Sequence, residues 1–286
     1  MQGWFMTSNI FSKKLEEKDF NRLKTFIESS CGIKLSENKK SMVEGRLRKR
    51  IKALGMQGYS EYVDFVFDGG RESIEQTYLI DVITTNKTDF FRENNHFEMM
   101  TSKILPILSE KGGLGHHKPL RVWSCASSTG EEPYTIAMVL AEFFGINGKF
   151  NIFATDINTS VLSTAQRAIY TEDRAKDIPY ALKKKYLMRS KNPDDRLVRF
   201  RPEIRSKVKF ARLNLKSSHY MLPESVDIVF CRNVLIYFDI KTQEEMLNRI
   251  CSHMNPGGFL FMGHSESIHG LRLPVKTYAP TIYIRD

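Results

Sequence analysis

The chain has 286 residues, of which 41% are hydrophobic, and it carries a formal net charge of +10. This length suffices for one large or two modest domains, and this apolar content is ordinary for a globular protein. No apolar run is long enough to span a membrane and residues 1–6 lack the features of a signal peptide, so we expect no membrane insertion. The positive surplus implies an acidic partner, which composition alone leaves open among nucleic acid, anionic lipid and acidic protein.

The cysteines are widely spaced and form no Cys-x-x-Cys pair; they are Cys31, Cys125, Cys231 and Cys251. Zinc sites and disulfide frameworks in small domains use closely spaced, paired cysteines. We therefore expect reduced thiols in a cytoplasmic protein, and no metal.

Residues 17–85 show the apolar spacing of helices, with no strand signal between them. Three stripes recur at helical intervals. They comprise Phe20, Leu23 and Ile27; Val43, Leu47, Ile51 and Leu54; and Ile74, Tyr78, Val82 and Ile83. We predict a small all-helical domain over residues 1–85.

The second stripe lies on a strongly basic helix. Its cations include Arg46, Arg48, Lys49 and Lys52. Glu44 is the only acid in the helix body, so repulsion among the cations is largely uncompensated. Two interpretations stay open: a solvated basic face, or a binding face for phosphates or for carboxylates on an acidic helix.

Residues 86–115 are predicted to form a linker and a connecting helix. Threonine, asparagine and aspartate over residues 84–89 disfavour continued helix and leave side chains available for hydrogen bonding. A helix with Phe97, Met100, Ile104 and Leu105 on one side follows, with Pro106 near its end.

From residue 116 the pattern alternates between strand and helix. Residues 120–125 read as a buried strand, residues 124–130 are all small, and Glu131, Glu132 and Pro133 suit the start of a helix. Such a strand, turn and helix start form the ligand crevice of an open α/β sheet, although an ordinary connection is the alternative.

A second strand ends in Asp156, where nucleotide-binding folds hold ribose hydroxyls; helix capping is the alternative role. Further strands at residues 226–231 and 259–262, with a terminal hairpin at residues 277–284, predict a Rossmann-like sheet over residues 116–286. Only Gly130 stands where a dehydrogenase would show Gly-x-Gly-x-x-Gly, which argues against NAD. Residues 188–212 are predicted to be an inserted antiparallel β-subdomain.

Five stretches occur together in order and jointly resemble the chemotaxis receptor glutamate methyltransferases, the CheR family. They are residues 84–93 (TTNKTDFFRE), 127–134 (SSTGEEPY), 155–157 (TDI), 231–238 (CRNVLIYF) and 263–266 (GHSE). The resemblance extends from about residue 17 to the last residue. It implies a methyltransferase variant of the Rossmann sheet, S-adenosylmethionine as cofactor, S-adenosylhomocysteine as product, and glutamate side chains of chemoreceptors as substrate.

The resemblance also implies a set of site residues. By motif position the cofactor site would comprise Asn86, Thr88, Arg92, Glu132, Asp156, Asn214, Leu215, Arg232 and Asn233. Asp156 suits the ribose and Glu132 the cofactor's ammonium group. Arg92 suits a carboxylate, which is either the cofactor's own or that of the substrate. We predict Tyr237 and Arg92 as catalytic residues, because the family places an aromatic residue beside the transferred methyl; core packing is the alternative for Tyr237.

The family resemblance gives the basic helix a partner, since Arg46, Arg48, Lys49 and Lys52 would dock onto the cytoplasmic helical region of chemoreceptors. Some members also hold a C-terminal receptor peptide on the inserted strands. The corresponding loop here, residues 190–196, lacks glycine, so binding of that peptide stays open. We expect a monomer and no nucleic-acid partner.

Two other functions are kept as alternatives. A nucleic-acid methyltransferase would suit the positive charge, but the chain has neither an Asp/Asn-Pro-Pro-aromatic motif after its fourth strand nor a Pro-Cys pair. A non-enzymatic adaptor that senses S-adenosylmethionine would need the same binding motifs without catalysis.

Overall fold

The computed structural model describes residues 14–68 and 74–286. The chain divides into two compact units, the first ending at Thr85 and the second running from Asn86 to Asp286. The expectation about residues 1–6 falls outside the described residues. Within the two described ranges, no helix has the length and apolar character needed to cross a bilayer.

The first unit is built from helices α1 (Glu17–Cys31), α2 (Lys40–Ala53), α3 (Tyr59–Asp68) and α4 (Ile74–Ile83), with a 3₁₀ turn Glu37–Lys39 before α2. Two of the predicted stripes are confirmed as core. Their buried members are Phe20, Leu23, Ile27, Val43, Leu47 and Ile51. Leu54, at the end of α2, is only half-buried.

The predicted apolar stripe on α4 is confirmed at Ile83, which is 4% exposed, and wrong at Ile74 and Tyr78. Ile74 is 89% exposed and Tyr78 41%, whereas Glu75 is 5% exposed. Arg50 donates to both carboxylate oxygens of Glu75, at 3.0 and 2.5 Å, and the Tyr62 hydroxyl donates at 2.9 Å. Because the pairing is bidentate, it satisfies a carboxylate that would otherwise be costly to bury. The Tyr78 ring lies over the Arg50 guanidinium at 3.9 Å and shields the pair.

The strands of the second unit are β1 (Leu120–Cys125), β2 (Phe150–Asp156), β3 (Ile169–Thr171), β4 (Leu187–Arg189), β5 (Leu197–Phe200), β6 (Val208–Arg212), β7 (Val226–Cys231), β8 (Met254–Met262), β9 (Val275–Ala279) and β10 (Ile282–Arg285). The main sheet has the order β6-β2-β1-β7-β8-β10-β9. Its first five strands pair in parallel, and the terminal hairpin β9–β10 adds antiparallel to β8. The predicted fold class is confirmed.

The helices of the second unit are α5 (Asn95–Met99), α6 (Leu105–Gly112), α7 (Glu131–Phe144), α8 (Thr159–Arg167), α9 (Tyr180–Tyr186), α10 (Pro202–Arg205) and α11 (Ile240–Ser252). Side chains of α7 pack on one face of the main sheet and those of α11 on the other. Pro106 lies in the first turn of α6 rather than near the end of a helix, and a widened π turn, Met100–Ile104, precedes α6. Proline lacks the N–H that an α-helix requires, so the helix changes its winding there.

The inserted antiparallel sheet differs from its predicted extent of 188–212. It has the order β3-β5-β4 and so spans residues 169–200. Val208–Arg212 is instead β6, which pairs in parallel with β2 at the edge of the main sheet. An edge strand is exposed on one side, so its alternating pattern resembles that of a half-exposed antiparallel strand.

The parallel strands end together, and this positions the site. Cys125 of β1 lies beside Thr155 of β2 and Cys231 of β7, and Cys231 lies beside Met262 of β8. The loops after these four strands therefore meet at one edge of the sheet, where open α/β folds bind ligands.

Candidate active site

The turn between β1 and α7 holds three of its small residues in a left-handed backbone conformation. The φ angle is 54° at Ala126, 49° at Ser128 and 97° at Gly130. A Cβ built on Gly130 would lie 2.8 Å from the Tyr170 hydroxyl oxygen and 2.9 Å from the Ala165 Cβ, so glycine is required there. Left-handed residues other than glycine are uncommon and concentrate at functional sites. This turn therefore has the constrained backbone that is typical of a functional site.

Asp156 fixes this turn from the end of β2. Its Oδ2 accepts a hydrogen bond from Ser128 N at 2.8 Å and its Oδ1 accepts one from Asn158 N at 2.9 Å. The Ser128 hydroxyl donates in turn to the carbonyl of Asn86 at 2.9 Å. These contacts bring two predicted site residues, Asp156 and Asn86, to the same turn.

Glu132, in the first turn of α7, is held from two sides. Its Oε1 accepts a hydrogen bond from the Ser124 hydroxyl at 2.6 Å and its Oε2 accepts one from Arg232 Nε at 2.7 Å. The neighbouring Glu131 is fully buried and pairs with Arg174. The two adjacent acids thus differ: Glu131 has a cation of its own, whereas Glu132 shares Arg232 with another carboxylate.

Arg232 follows β7, and its side chain is only 2% exposed. Its Nη1 donates to the Arg92 carbonyl at 2.8 Å and lies 3.4 Å from Glu93 Oε2 and 3.1 Å from His96 Nδ1. Burial, together with the charge of Arg232, lowers the pKa of His96 to about 4. The His96 ring is therefore neutral at neutral pH and accepts the hydrogen bond from Arg232.

Glu93 is the second carboxylate that contacts Arg232. Its Oε1 accepts hydrogen bonds from Asn233 Nδ2 at 3.1 Å and from His264 N at 3.3 Å. Burial acts to raise the pKa of Glu93, but the Asn233 hydrogen bond and the Arg232 charge outweigh it and lower that pKa. We call Glu93, Glu132 and Arg232 the buried charge cluster; two carboxylates and one guanidinium leave it with an excess negative charge.

The segment that carries Asn86, Thr88 and Arg92 folds back on itself before α5. Phe91 and Glu93 have φ angles of 55° and 56°, and Phe91 N donates to the Thr135 hydroxyl at 3.2 Å. Arg92 Nη1 donates to the Lys87 carbonyl at 3.0 Å. Thr88 and Arg92 are both half-buried.

The loop after β6 reaches the same edge. Leu213 N donates to the Asp156 carbonyl at 2.9 Å, which ties the loop to the end of β2. Asn214 Oδ1 accepts a hydrogen bond from Lys216 N at 3.0 Å, and a cavity of about 250 Å³ borders Asn214. Leu215 is 7% exposed and packs in the core.

Asn233 and Tyr237 lie on the turn after β7. Asn233 has a φ of 58°, a left-handed conformation that asparagine tolerates better than most residues. Tyr237 ends a 3₁₀ turn, Leu235–Tyr237, and is half-buried, whereas Leu235 is buried in the core. Tyr237 therefore stands at the boundary between the core and the surface.

One possible group of metal ligands in the described residues lies beside the buried charge cluster: Glu93, His96 and His264, with ligand atoms within 4.8 Å of one another. The arrangement does not fit a metal ion. Arg232 already contacts His96 Nδ1, and the other ring nitrogen lies 2.9 Å from the Thr281 hydroxyl. A guanidinium thus stands where a metal cation would bind.

The predicted docking cations of α2 fall into two groups, those that are exposed and one that bonds within the first unit. Arg48, Lys49 and Lys52 are exposed. Arg46 has another role, because its guanidinium donates to three carbonyls at the end of α4, those of Val82, Ile83 and Thr84, and to the Thr85 hydroxyl. Cations stabilise the carbonyl end of a helix. Arg46 is therefore engaged within the first unit, and docking through Arg48, Lys49 and Lys52 stays a prediction.

Glu266, in the turn after β8, accepts hydrogen bonds from the amides of Asn233, Val234 and Leu235. Sequence reasoning did not assign several side chains of this site: Glu93, Ser124, His96 and Glu266. Glu93 and Glu266 lie inside stretches that carry the family resemblance, so their acidic character was a usable signal. Ser124 and His96 carried a weaker signal, because Ser124 was one of several small residues and His96 one of several polar residues in a short helix.

A family model described as "CheR methyltransferase, SAM binding domain" matches residues 86–284, and one described as "CheR methyltransferase, all-alpha domain" matches residues 18–84. The chain is 40% identical over 259 residues to a chemotaxis protein methyltransferase of Borreliella burgdorferi, covering 90% of each chain. Similar relatives occur in Salmonella typhimurium (39% over 270 residues, covering 94% of this chain and 90% of the relative) and Escherichia coli (38% over 270 residues, 94% and 91%). The chain belongs to the CheR methyltransferase family, and it binds S-adenosylmethionine through its second unit.

Proposed function

We propose that this protein transfers methyl groups from S-adenosylmethionine to glutamate side chains of chemotaxis receptors, giving glutamate methyl esters. Membership in the CheR family and the names of the relatives support this proposal. The observation that carries it is the excess negative charge of the buried charge cluster at the ends of the parallel strands. S-adenosylmethionine carries a sulfonium, an ammonium and a carboxylate, so its net positive charge complements the cluster.

A second observation supports a ligand at this edge. The Ser127 hydroxyl, in the turn after β1, is buried and has no hydrogen-bond partner in the part of the chain that the structure describes. Buried hydroxyls are normally hydrogen-bonded, so an orphaned one fits a group that a ligand supplies. Glu132 stands where a phosphate would be repelled, which favours a cationic ligand over a dinucleotide.

When bound, S-adenosylmethionine supplies an activated methyl group on its sulfonium. Asp156 would hold the ribose hydroxyls, in keeping with its place at the end of β2. Glu132 would accept hydrogen bonds from the ammonium group, because each oxygen of an ionised carboxylate can accept more than the one bond described above. Arg92, half-buried at the same edge, would hold a carboxylate of the cofactor or of the substrate.

Methyl transfer to a glutamate needs no general base, because a carboxylate with an ordinary pKa of about 4.3 is already ionised at neutral pH. The protein would contribute by aligning the substrate carboxylate and excluding water. Well-oriented groups can lower a barrier by roughly 7–11 kcal/mol. Tyr237, at the boundary of the core on the same turn as Asn233, would orient the incoming carboxylate through its hydroxyl.

Transfer of labelled methyl groups to purified receptor cytoplasmic fragments and, separately, to nucleic acid tests this function. We expect label in the receptor fragment alone, released as methanol by mild base, as for a carboxyl ester. Fragments whose modifiable glutamates are replaced by alanine serve as the control. Base-stable label, or label in nucleic acid, contradicts the proposal; cofactor binding without any transfer indicates the adaptor.

The inserted sheet is proposed as the site of a receptor C-terminal peptide. Among the described residues, strand β4 pairs with β5 alone, which leaves an edge for an added strand. The loop after β4 has no glycine, but Arg196 takes the left-handed conformation, with a φ of 48°. The Ser190 hydroxyl and the Asn192 amide donate to Asp195 and brace this turn. Calorimetric titration with receptor tail peptides, against scrambled peptides, should show saturable binding of the native sequence alone.

A further inference from the structure

Glu266 is a buried carboxylate whose partners are all peptide groups. It lies in the turn after β8 and is 6% exposed. Its Oε1 accepts from Val234 N at 2.8 Å and Leu235 N at 2.7 Å. Its Oε2 accepts from Asn233 N at 2.7 Å and Gly263 N at 2.8 Å. Both oxygens are therefore fully engaged by uncharged donors.

Three of these donors are consecutive. The amides of Asn233, Val234 and Leu235 point at one spot because Asn233 adopts a left-handed conformation. Successive amides arranged in this way form an anion-binding concavity, or nest. Glu266 fills this nest from within the chain.

The approach of the two turns is too close for a side chain at residue 263. A Cβ built on Gly263 would lie 2.5 Å from Asn233 Nδ2 and 2.8 Å from Glu266 Oε2. Because residue 263 has no side chain, the Glu266 carboxylate in the turn after β8 can contact the turn after β7. Two independent features, the four hydrogen bonds and the missing side chain, join the same two turns.

We propose that Glu266 is a positioning residue for methyl transfer, acting by filling the nest and fixing the turn that carries Asn233 and Tyr237. This inference rests on the function proposed above. The nest leads directly into the 3₁₀ turn Leu235–Tyr237, so its shape sets where Tyr237 lies. The nest also fixes Asn233, whose side-chain amide donates to Glu93 of the buried charge cluster.

Filling the nest has a second consequence for this reaction. The substrate group is itself a carboxylate, and an empty nest within a few residues of Tyr237 would bind it in an unproductive place. An internal carboxylate occupies that place permanently, which leaves the incoming one to Arg92 and Tyr237.

Glu266→Gln tests positioning with little change in side-chain size. One oxygen becomes an amide NH₂ that faces two peptide N–H donors, so two of the four hydrogen bonds are lost. A misplacement of about 1 Å can lower a rate by about 100-fold, and we expect kcat for receptor methylation to fall by that order. The affinity for S-adenosylmethionine should fall by less than about tenfold. Glu245→Gln, at an exposed position of α11, should match the wild type in both.

Glu266→Ala tests the nest by chemical rescue. We expect acetate to raise kcat of this variant at least about tenfold with saturation, and acetamide at equal concentration to have no effect. Acetate should leave the wild type unchanged, since its nest is full. A role in stability alone would not produce rescue that depends on the charge of the added molecule.

The inference is overturned if kcat of Glu266→Gln stays within about threefold of the wild type. It is also overturned if Glu266→Ala, shown to be folded by its thermal unfolding, is not rescued by acetate. Should Glu266→Ala not fold, Glu266→Gln decides alone. If the wild type does not methylate receptors, the proposed function fails. Acetate binding to Glu266→Ala, measured by calorimetry, then still tests the nest.

Discussion

Arg232 is a guanidinium that the fold buries almost completely between Glu93 and Glu132. A buried charge is tolerated only when its partners satisfy it, and removing one partner leaves the others uncompensated. Replacing Arg232 would leave two carboxylates in the interior without their cation, so loss of activity in such a variant would report on folding. Residues at the margin of the buried charge cluster are better probes of ligand binding.

Asp156→Ala and Arg92→Ala are expected to weaken S-adenosylmethionine binding by at least about tenfold each. Loss of one hydrogen bond to a charged group costs roughly 1.5–3 kcal/mol, and tenfold corresponds to about 1.4 kcal/mol. Calorimetric titration measures the effect, with Asp177→Ala, at an exposed position, as the matched control. Unchanged affinity in both variants would remove these residues from the cofactor site.

His96 predicts a pH dependence of stability. Its pKa in the fold, about 4, lies below the ordinary value of 6.5, chiefly because the ring is buried and then because of the charge of Arg232. Between these pH values the unfolded chain binds a proton that the folded chain does not, so stability falls as pH falls from 6.5 toward 4. From pH 7 to pH 5 the loss should be about 2 kcal/mol.

Urea unfolding followed by tryptophan fluorescence measures this loss, since Trp123 lies in the core of the second unit. In His96→Gln, which does not titrate, the change between pH 7 and pH 5 should shrink by about the amount that His96 contributes. An equal pH dependence in the variant and the wild type would show that other groups are responsible.

Part of the site could be predicted from sequence, because open α/β sheets bind ligands at the carboxyl ends of their parallel strands. The ends of β1 and β2 place Glu132 and Asp156 at the ligand edge in any fold of this type. The cation that pairs with Glu132 could not be predicted in this way. Arg232 meets it only because parallel pairing brings β7 beside β1, and no local pattern encodes that neighbour. Ser124, by contrast, lies at the end of β1 in the same strand–turn–helix unit as Glu132.

At the level of elements, the cations of α2 have two different roles, one structural and one at the surface. Arg46 and Arg50 lie at the margins of the buried stripe, and both are engaged within the first unit, by the end of α4 and by Glu75. Arg48, Lys49 and Lys52 project to the surface. Two cations of α2 therefore bind groups of the first unit, and three others are exposed on its surface.

The triple variant Arg48→Ala, Lys49→Ala, Lys52→Ala is therefore expected to slow receptor methylation by about tenfold at low ionic strength. Charges at the rim of an interface act mainly on the association rate, and salt screens them. Affinity for S-adenosylmethionine should be unchanged. Added salt should slow the wild type toward the rate of the variant.

Arg46→Ala is the comparison for that experiment. It should lower the unfolding temperature of the protein, because three carbonyls at the end of α4 lose their donor. Equal methylation rates for the triple variant and the wild type at low salt would argue against docking through α2.

Two elements escaped prediction for physical reasons. On α4, the burial of Glu75 depends on Arg50, which lies 25 residues earlier, so helical periodicity alone placed Ile74 and Tyr78 on the buried face by mistake. At β6, the sequence pattern of an exposed edge strand equals that of a half-exposed antiparallel strand. Only the pairing with β2 distinguishes the two.

For the whole molecule, the location of the positive charge differs from what the basic helix suggests. Residues 167–216 contain sixteen Lys and Arg against six Asp and Glu, an excess equal to the net charge of +10 of the chain. Residues 1–85 contain fourteen against twelve and are nearly balanced. Long-range attraction to an acidic partner would therefore come mainly from the second unit, and α2 would contribute local contacts.

A chain limited to residues 86–286 tests this division. The predicted cofactor residues all lie in it, so it should bind S-adenosylmethionine with an affinity within about threefold of the full chain. Receptor methylation should slow at least as much as in the triple variant of α2, because the docking cations are absent. Its remaining rate should still fall with added salt, since residues 167–216 are retained. A folded fragment that fails to bind the cofactor would show that the first unit takes part in cofactor binding. A methylation rate that does not depend on salt would show that the electrostatic attraction to the receptor comes from α2 alone.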